Sequence, residues 1–201
     1  MTRFLLIRHA TIEASGKSLA GRLAGVHPTG HGRDQARALA QRFTGASIAA
    51  VYSSPLERAV DTATPIATLL GLPVVTREDF LEIDFGRWTG RTFDDLDTDP
   101  GFGRFNTMRS CAPVPGGEFM LQAQTRMVLG LEALRAAHEG QPVVVVAHGD
   151  LIRAALAHYA GVPLDLMRRL TVDLASVSIV ELEECAVRIV AINDTGRARF
   201  D

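Results

Sequence analysis

Val143-Val144-Val145-Val146-Ala147-His148-Gly149-Asp150 is the stretch that decides the fold. Its first five residues are apolar, with no polar residue between them. A half-exposed strand alternates apolar and polar positions, so an unbroken run predicts a strand covered on both faces, as in a parallel sheet. The run stops at an imidazole and a glycine. Beyond them Ile152, Ala155, Leu156 and Tyr159 carry the spacing of an amphipathic helix. Strand, polar break and helix form the repeating unit of an α/β fold, whose ligands bind outside the carboxyl ends of the strands. His148 therefore stands at the mouth of a crevice.

The same reading extends in both directions. Phe4 to Ile7, Ala49 to Tyr52, Val177 to Leu182 and Val187 to Ile192 read as further strands. Ala36, Leu39, Ala40 and Phe43 recur at helical spacing and mark the first crossover. A second helix is expected from about Leu56 to Leu70, with Pro65 as a site for a kink and Gly71 before Pro73 as its stop. A third runs from about Glu118 to His138, with Met120, Ala123, Met127, Leu131 and Leu134 as its core stripe. The stretch from Arg91 to Gly117 mixes Pro, Gly, Asp and aromatics without a period, and a connection of that length predicts a functional lid. The parse is one domain over 1–201 with a lid at about 91–117.

Composition narrows the function. In 201 residues, 47% hydrophobic and 22% charged side chains are a globular balance, and a net charge of -2 gives no field to hold nucleic acid. Cys111 and Cys185 are far apart and form no C-x-x-C, so neither a disulfide scaffold nor a zinc knuckle is expected. Charge enters at Arg3 and again at Arg8, too early for a signal peptide, and no apolar stretch approaches the ~20 residues of a membrane span. A cytoplasmic protein without membrane contact is expected.

Several motifs fail on their spacing. Gly16-Lys17-Ser18 lacks the P-loop's earlier glycine, since position 11 is Thr11. Gly101-Phe102-Gly103 follows no strand and has no third glycine, and Ser53-Ser54-Pro55 lacks the glycines of a nucleophile elbow. Among the histidines only His27 and His31 have ligand spacing, but Pro28 and Gly30 interrupt that segment, so no metal is expected. What remains converges. Arg8-His9 follows the first strand, His148 follows the Val143 run, and Arg58 opens the helix after the Ala49 strand. Guanidinium forks match phosphoryl oxygens, so two arginines with two histidines at three strand ends read as an anion pocket. Taken singly, each could be a structural group.

In order along the chain, five segments are similar to signatures of one family. They are Leu6-Ile7-Arg8-His9-Ala10, Tyr52-Ser53-Ser54-Pro55-Leu56-Glu57-Arg58-Ala59, Leu81-Glu82-Ile83-Asp84-Phe85-Gly86-Arg87-Trp88-Thr89-Gly90, Pro115-Gly116-Gly117-Glu118 and Val145-Val146-Ala147-His148-Gly149-Asp150. The chain resembles the histidine phosphatase superfamily, also called phosphoglycerate mutase-like. The resemblance implies a three-layer α/β/α sandwich with a mostly parallel central sheet and a covalent phosphohistidine mechanism. It matches His9 to the nucleophile, Glu82 to the proton donor, and Arg8, Arg58 and His148 to the phosphate pocket. Arg22, in Gly21-Arg22-Leu23-Ala24-Gly25, resembles a substrate-contacting position. The chain departs from the pattern at Ala10, where glycine is usual, at Ile12, often Thr, and at Ser15, where the family often has an Asn that helps hold the phosphate.

The function implied is a phosphoric monoester hydrolase of the histidine acid phosphatase type, acting on a small phosphorylated molecule without cofactor or metal. A cofactor-dependent phosphoglycerate mutase and a non-catalytic phospholigand-binding protein on the same fold stay open, as does assembly into a homodimer. Phe93, Phe102, Phe105 and Met108 with Arg104 and Arg109 read either as contacts to an apolar, acidic leaving group or as packing of the lid on the core.

Overall fold

The computed structural model describes residues 1–196. Its centre is a six-stranded sheet built from β1 (Thr2–Arg8), β2 (Ala50–Ser53), β3 (Val74–Thr76), β4 (Pro142–Ala147), β5 (Val177–Leu182) and β6 (Val187–Asp194). The strand order is β3-β2-β4-β1-β5-β6. β4 lies between β1 and β2 and is parallel to both, and β3 is parallel to β2. β5 runs antiparallel to β1 and to β6. A link as short as Glu183–Ala186, closed by Glu183 N–H donating to the Ala186 carbonyl at 2.8 Å, can join only antiparallel neighbours.

The central strands are buried on both faces, as their unbroken apolar runs require. Phe4, Leu6, Val143 and Val145 belong to one core and Leu5, Ile7, Val144 and Val146 to another across the sheet. Each such side chain contributes roughly 1.5–3 kcal/mol on burial. Helices α1 (Gly30–Gln41) and α2 (Glu57–Leu70) cover the second core through Leu39, Ala40, Ala63 and Ile66. On the other face, the first core receives Met127, Leu131, Leu151 and Ile152 from the helices Met120–Ala137 and Gly149–Ala160. The result is an α/β/α sandwich. Helix α2 runs through Pro65 and stops at Gly71, which takes the left-handed conformation (φ 68°) that glycine adopts at least cost.

Two features escape the sequence reading. Strand β3 is only three residues long and follows Pro73, too short to show a period. Within the segment 91–117 lie two short helices, α3 (Phe93–Asp97) and α4 (Pro100–Thr107), each capped by a side chain, Thr92 Oγ1 and Asp99 Oδ1 respectively. Their Leu96, Phe102 and Phe105 pack with Trp88 and Phe85 into the first core. In chain order the helices Met120–Ala137 and Gly149–Ala160 are then α5 and α6. No helix among the described residues is long and apolar enough to cross a membrane.

Candidate active site

The register of the sheet brings the two histidines together. Arg8 pairs with Ala147 at the carboxyl ends of β1 and β4, so the next residue of each strand, His9 and His148, leaves the sheet side by side. His9 N–H donates to the Ala147 carbonyl at 3.0 Å, and the two rings lie 5.3 Å apart between centroids. Ser54 N–H donates to Val146 O at 2.9 Å and ties the end of β2 to the same edge. That places Arg58 in the first turn of α2. Three strand ends therefore converge, as their sequence positions anticipate.

His9 has a defined tautomer. Its Nδ1 is 2.8 Å from the Ala10 carbonyl, and a carbonyl only accepts, so Nδ1 carries the hydrogen and Nε2 keeps its lone pair. Ala10 is held in turn by its own N–H donating to Thr62 Oγ1 at 3.0 Å. Burial, and then the positive charge of Arg58 and Arg8, push the pKa of His9 down to about 3. At neutral pH the ring is therefore unprotonated, and it remains 6% exposed. His148 is fully buried, and burial with the nearby Arg58 and His9 lowers its pKa well below the usual histidine value. Its Nε2 is 2.8 Å from Ser54 Oγ, while Nδ1 has no partner among the described residues.

Both arginines have unused donors. Arg8 Nη1 donates to the Val172 carbonyl at 2.8 Å and Arg58 Nη2 to the Gly21 carbonyl at 2.6 Å. Arg8 Nε and Arg58 Nε and Nη1 are buried with no acceptor among the described residues. Orphaned guanidinium donors are costly and rare, and their concentration beside His9 marks a place made for an anion. The approach is tight. A Cβ on Gly149 would sit 3.0 Å from Arg8 Nε and 3.1 Å from its Cζ. Arg58 also occupies the first turn of α2, where the helix dipole disfavours a cation unless an anion is bound.

Glu82 comes from a different part of the chain, the loop after the short turn Glu78–Phe80. It is partly open to the cleft, but burial of its carboxyl and the charge of Asp150 outweigh Arg58 and Arg8 and push its pKa up to about 7. A carboxyl so tuned can give a proton and take it back near neutrality. Asp150 behaves oppositely: burial alone raises it, but Arg109 and Arg153, at 2.7 and 3.1 Å, hold it down to about 2. Arg22, which by resemblance matches a substrate-contacting position, bonds to other parts of the protein. Its Nε donates to the Glu82 backbone carbonyl at 2.7 Å and its Nη2 to Glu118 at 3.0 Å, while Arg126 bonds the same carbonyl and the same carboxylate. Arg22 thus braces the Glu82 backbone. Ser15 lines a small cavity together with Arg8, His9 and Arg58, its Oγ accepting the Ile12 N–H at 3.0 Å.

The site has two compartments. Arg8, His9, Ser15, Arg58 and Glu82 line a cavity of about 120 Å³. Arg8 and Glu82 also line a larger cleft of about 380 Å³, walled by Leu19, Phe85, Phe93, Phe102, Arg109, Asp150, Arg153 and Arg168. Of the residues singled out in the segment 91–117, Phe93, Phe102 and Arg109 reach this cleft, Phe105 belongs to the core, and Met108 is 44% exposed. Sequence reasoning assigned no role to Asp150, although it lies in a quoted motif, nor to Ser54 and Arg153. Among the described residues no three His, Cys, Asp or Glu side chains group as a metal site requires.

This geometry has relatives. Residues 4–195 match the model of the histidine phosphatase superfamily, branch 1. A bifunctional protein of Mycobacterium tuberculosis is 37% identical over 97% of the chain, which covers 54% of that protein; the chain thus spans about half the length of this relative. Phosphoserine phosphatase 1 of Hydrogenobacter thermophilus is 32% identical over 97% of the chain and 93% of its own length. Among solved structures, a phosphoserine phosphatase mutant from Entamoeba histolytica in complex with phosphoserine superposes with a TM-score of 0.87 at 26% identity, covering 97% of this chain and 98% of the other. With nearly all of its described length inside the family model, the chain belongs to branch 1 of the histidine phosphatase superfamily.

Proposed function

We propose that this chain is a phosphatase that hydrolyses a small phosphomonoester through a phosphohistidine intermediate on His9. The observation that carries the reading is the His9 ring: Nδ1–H is spent on the Ala10 carbonyl, and Nε2 stays bare beside orphaned donors of Arg8 and Arg58. The names of its relatives, phosphoserine phosphatases among them, point the same way.

In this reading the phosphoryl group occupies the smaller cavity, Arg8 and Arg58 neutralise its equatorial oxygens, and the uncharged His148 hydrogen-bonds to them. His9 Nε2 forms a bond to phosphorus as the bond to the ester oxygen breaks. Glu82, protonated, gives its proton to that oxygen and the alcohol leaves. A water then attacks the phosphohistidine, the P–N bond breaks, and Glu82 takes the water's proton. Inorganic phosphate departs and both side chains regain their starting states. The larger cleft receives the leaving group, and the segment 91–117, supplying Phe93, Phe102 and Arg109, serves as its lid.

Incubation with p-nitrophenyl phosphate tests the activity. Steady phosphate release that is lost in His9→Ala is the expected outcome. Binding without release would make the chain a phospholigand-binding protein, and phosphoryl transfer between positions of phosphoglycerate in place of hydrolysis would make it a mutase.

A further inference from the structure

Ser54 follows β2 directly, and its backbone is locked to β4, the strand that ends at His148. The residue is completely buried. Its Oγ accepts the Leu56 N–H at 3.3 Å and lies 2.8 Å from His148 Nε2. A hydroxyl also carries one hydrogen of its own, and among the described residues the acceptor within reach of that hydrogen is His148 Nε2. Two tautomers of His148 must be compared. With the hydrogen on Nε2, that group would donate to Ser54 Oγ, and the Ser54 O–H would be buried without an acceptor. Nδ1 would then present a lone pair, which repels a phosphoryl oxygen. With the hydrogen on Nδ1, Ser54 donates to Nε2, its oxygen accepts from Leu56, and every group at this end is satisfied. The remaining donor, His148 Nδ1–H, is the one that lacks a partner among the described residues.

We propose that Ser54 is a positioning residue that fixes His148 as the Nδ1–H tautomer, making its ring a hydrogen-bond donor to the phosphoryl group beside His9. The two imidazoles then differ by what their outer nitrogens meet. A carbonyl at His9 Nδ1 leaves a bare nitrogen to attack, whereas a hydroxyl at His148 Nε2 leaves an N–H to bind. The phosphatase reading enters only in naming the acceptor as a phosphoryl oxygen.

The test is the imidazole ¹⁵N spectrum of the full chain, with the His148 resonances assigned by their loss in His148→Asn. Wild type should show a protonated Nδ1 and a bare Nε2 at His148, and titration with inorganic phosphate should perturb the Nδ1–H. In Ser54→Ala, His148 should become a mixture of tautomers and phosphate affinity should fall about 10- to 100-fold, by analogy with the loss when a partner that orients a metal-bound histidine is removed. Ser54→Thr, which keeps the hydroxyl, should restore both. An Nε2–H tautomer in wild type overturns the proposal, a result that needs no variant to fold. So does a Ser54→Ala protein that keeps a pure Nδ1–H tautomer, whatever its phosphate affinity. Turnover is not read, so absence of phosphatase activity alongside the expected spectrum would count against the reaction and leave the Ser54 assignment standing.

Discussion

Replacing Glu82 with Gln should weaken the catalyst while strengthening the fold. Folding moves this carboxyl from 4.5 to about 7, chiefly by burial and the neighbouring Asp150 charge. Because the folded pKa is the higher one, stability is fully present below 4.5 and declines as pH rises through 7. The shift corresponds to roughly 3 kcal/mol withheld from the fold at pH 8. Gln cannot ionise, so urea unfolding should show Glu82→Gln more stable than wild type at pH 8, by up to about 3 kcal/mol, and little different at pH 4.5. Activity should move the other way. Single-turnover phosphorylation by an alkyl phosphate such as phosphoserine should slow by roughly 10²- to 10⁴-fold, or about 3 to 5 kcal/mol of transition-state stabilisation, because its leaving oxygen needs a proton. The p-nitrophenolate ion leaves unprotonated, so p-nitrophenyl phosphate should lose far less. For the alkyl ester, wild-type kcat/KM should fall about tenfold per pH unit above about 7, as the acid form is titrated away. Equal losses for the two substrates, with lower stability at pH 8, would show instead that Glu82 is a structural partner of the arginines.

Three further outcomes follow from the same contacts. Gly149→Ala would push a methyl group against the Arg8 guanidinium and should cost about 10- to 100-fold in kcat/KM with a near-normal melting temperature; unchanged kinetics would mean that Arg8 needs no fixed position. Arg109→Ala removes the 2.7 Å partner of Asp150 and should lower unfolding free energy by about 2–4 kcal/mol in urea titrations, whereas a loss below about 0.5 kcal/mol would show the pair to be idle. Arg8 and Arg58 already supply the positive charge that a divalent ion brings to many phosphoryl-transfer sites, so turnover should survive exhaustive EDTA treatment. Activity abolished by chelation and restored by added metal would contradict this.

How much was legible in the sequence depended on the range of the interaction. The Val143 run and Phe4 to Ile7 disclose strands buried on both faces because burial acts on each residue in turn, and His9 and His148 are placed by following those strands to their ends. The contacts of Arg22 are not legible, for the opposite reason. Its contacts are the Glu82 carbonyl, 60 residues away, and Glu118, 96 residues away, and no local pattern links them. The same holds for Arg109 and Asp150, separated by 41 residues. In the segment 91–117 a signal was present, since Thr92 and Asp99 are capping residues and Phe93/Leu96 and Phe102/Phe105 share the i, i+3 spacing. Helices of 5 and 8 residues are too short to stand out by periodicity, and the scattered glycines and prolines suggested irregular chain instead.

The central claim, that His9 Nε2 takes the phosphoryl group, is open to one direct measurement. Protein mixed with ³²P-labelled phosphoserine or p-nitrophenyl phosphate and quenched rapidly without acid should carry a label that acid removes and base does not, mapping to the peptide that contains His9. No label should appear on His9→Ala. Label on a serine, cysteine or aspartate, or label that persists in His9→Ala, would contradict the account.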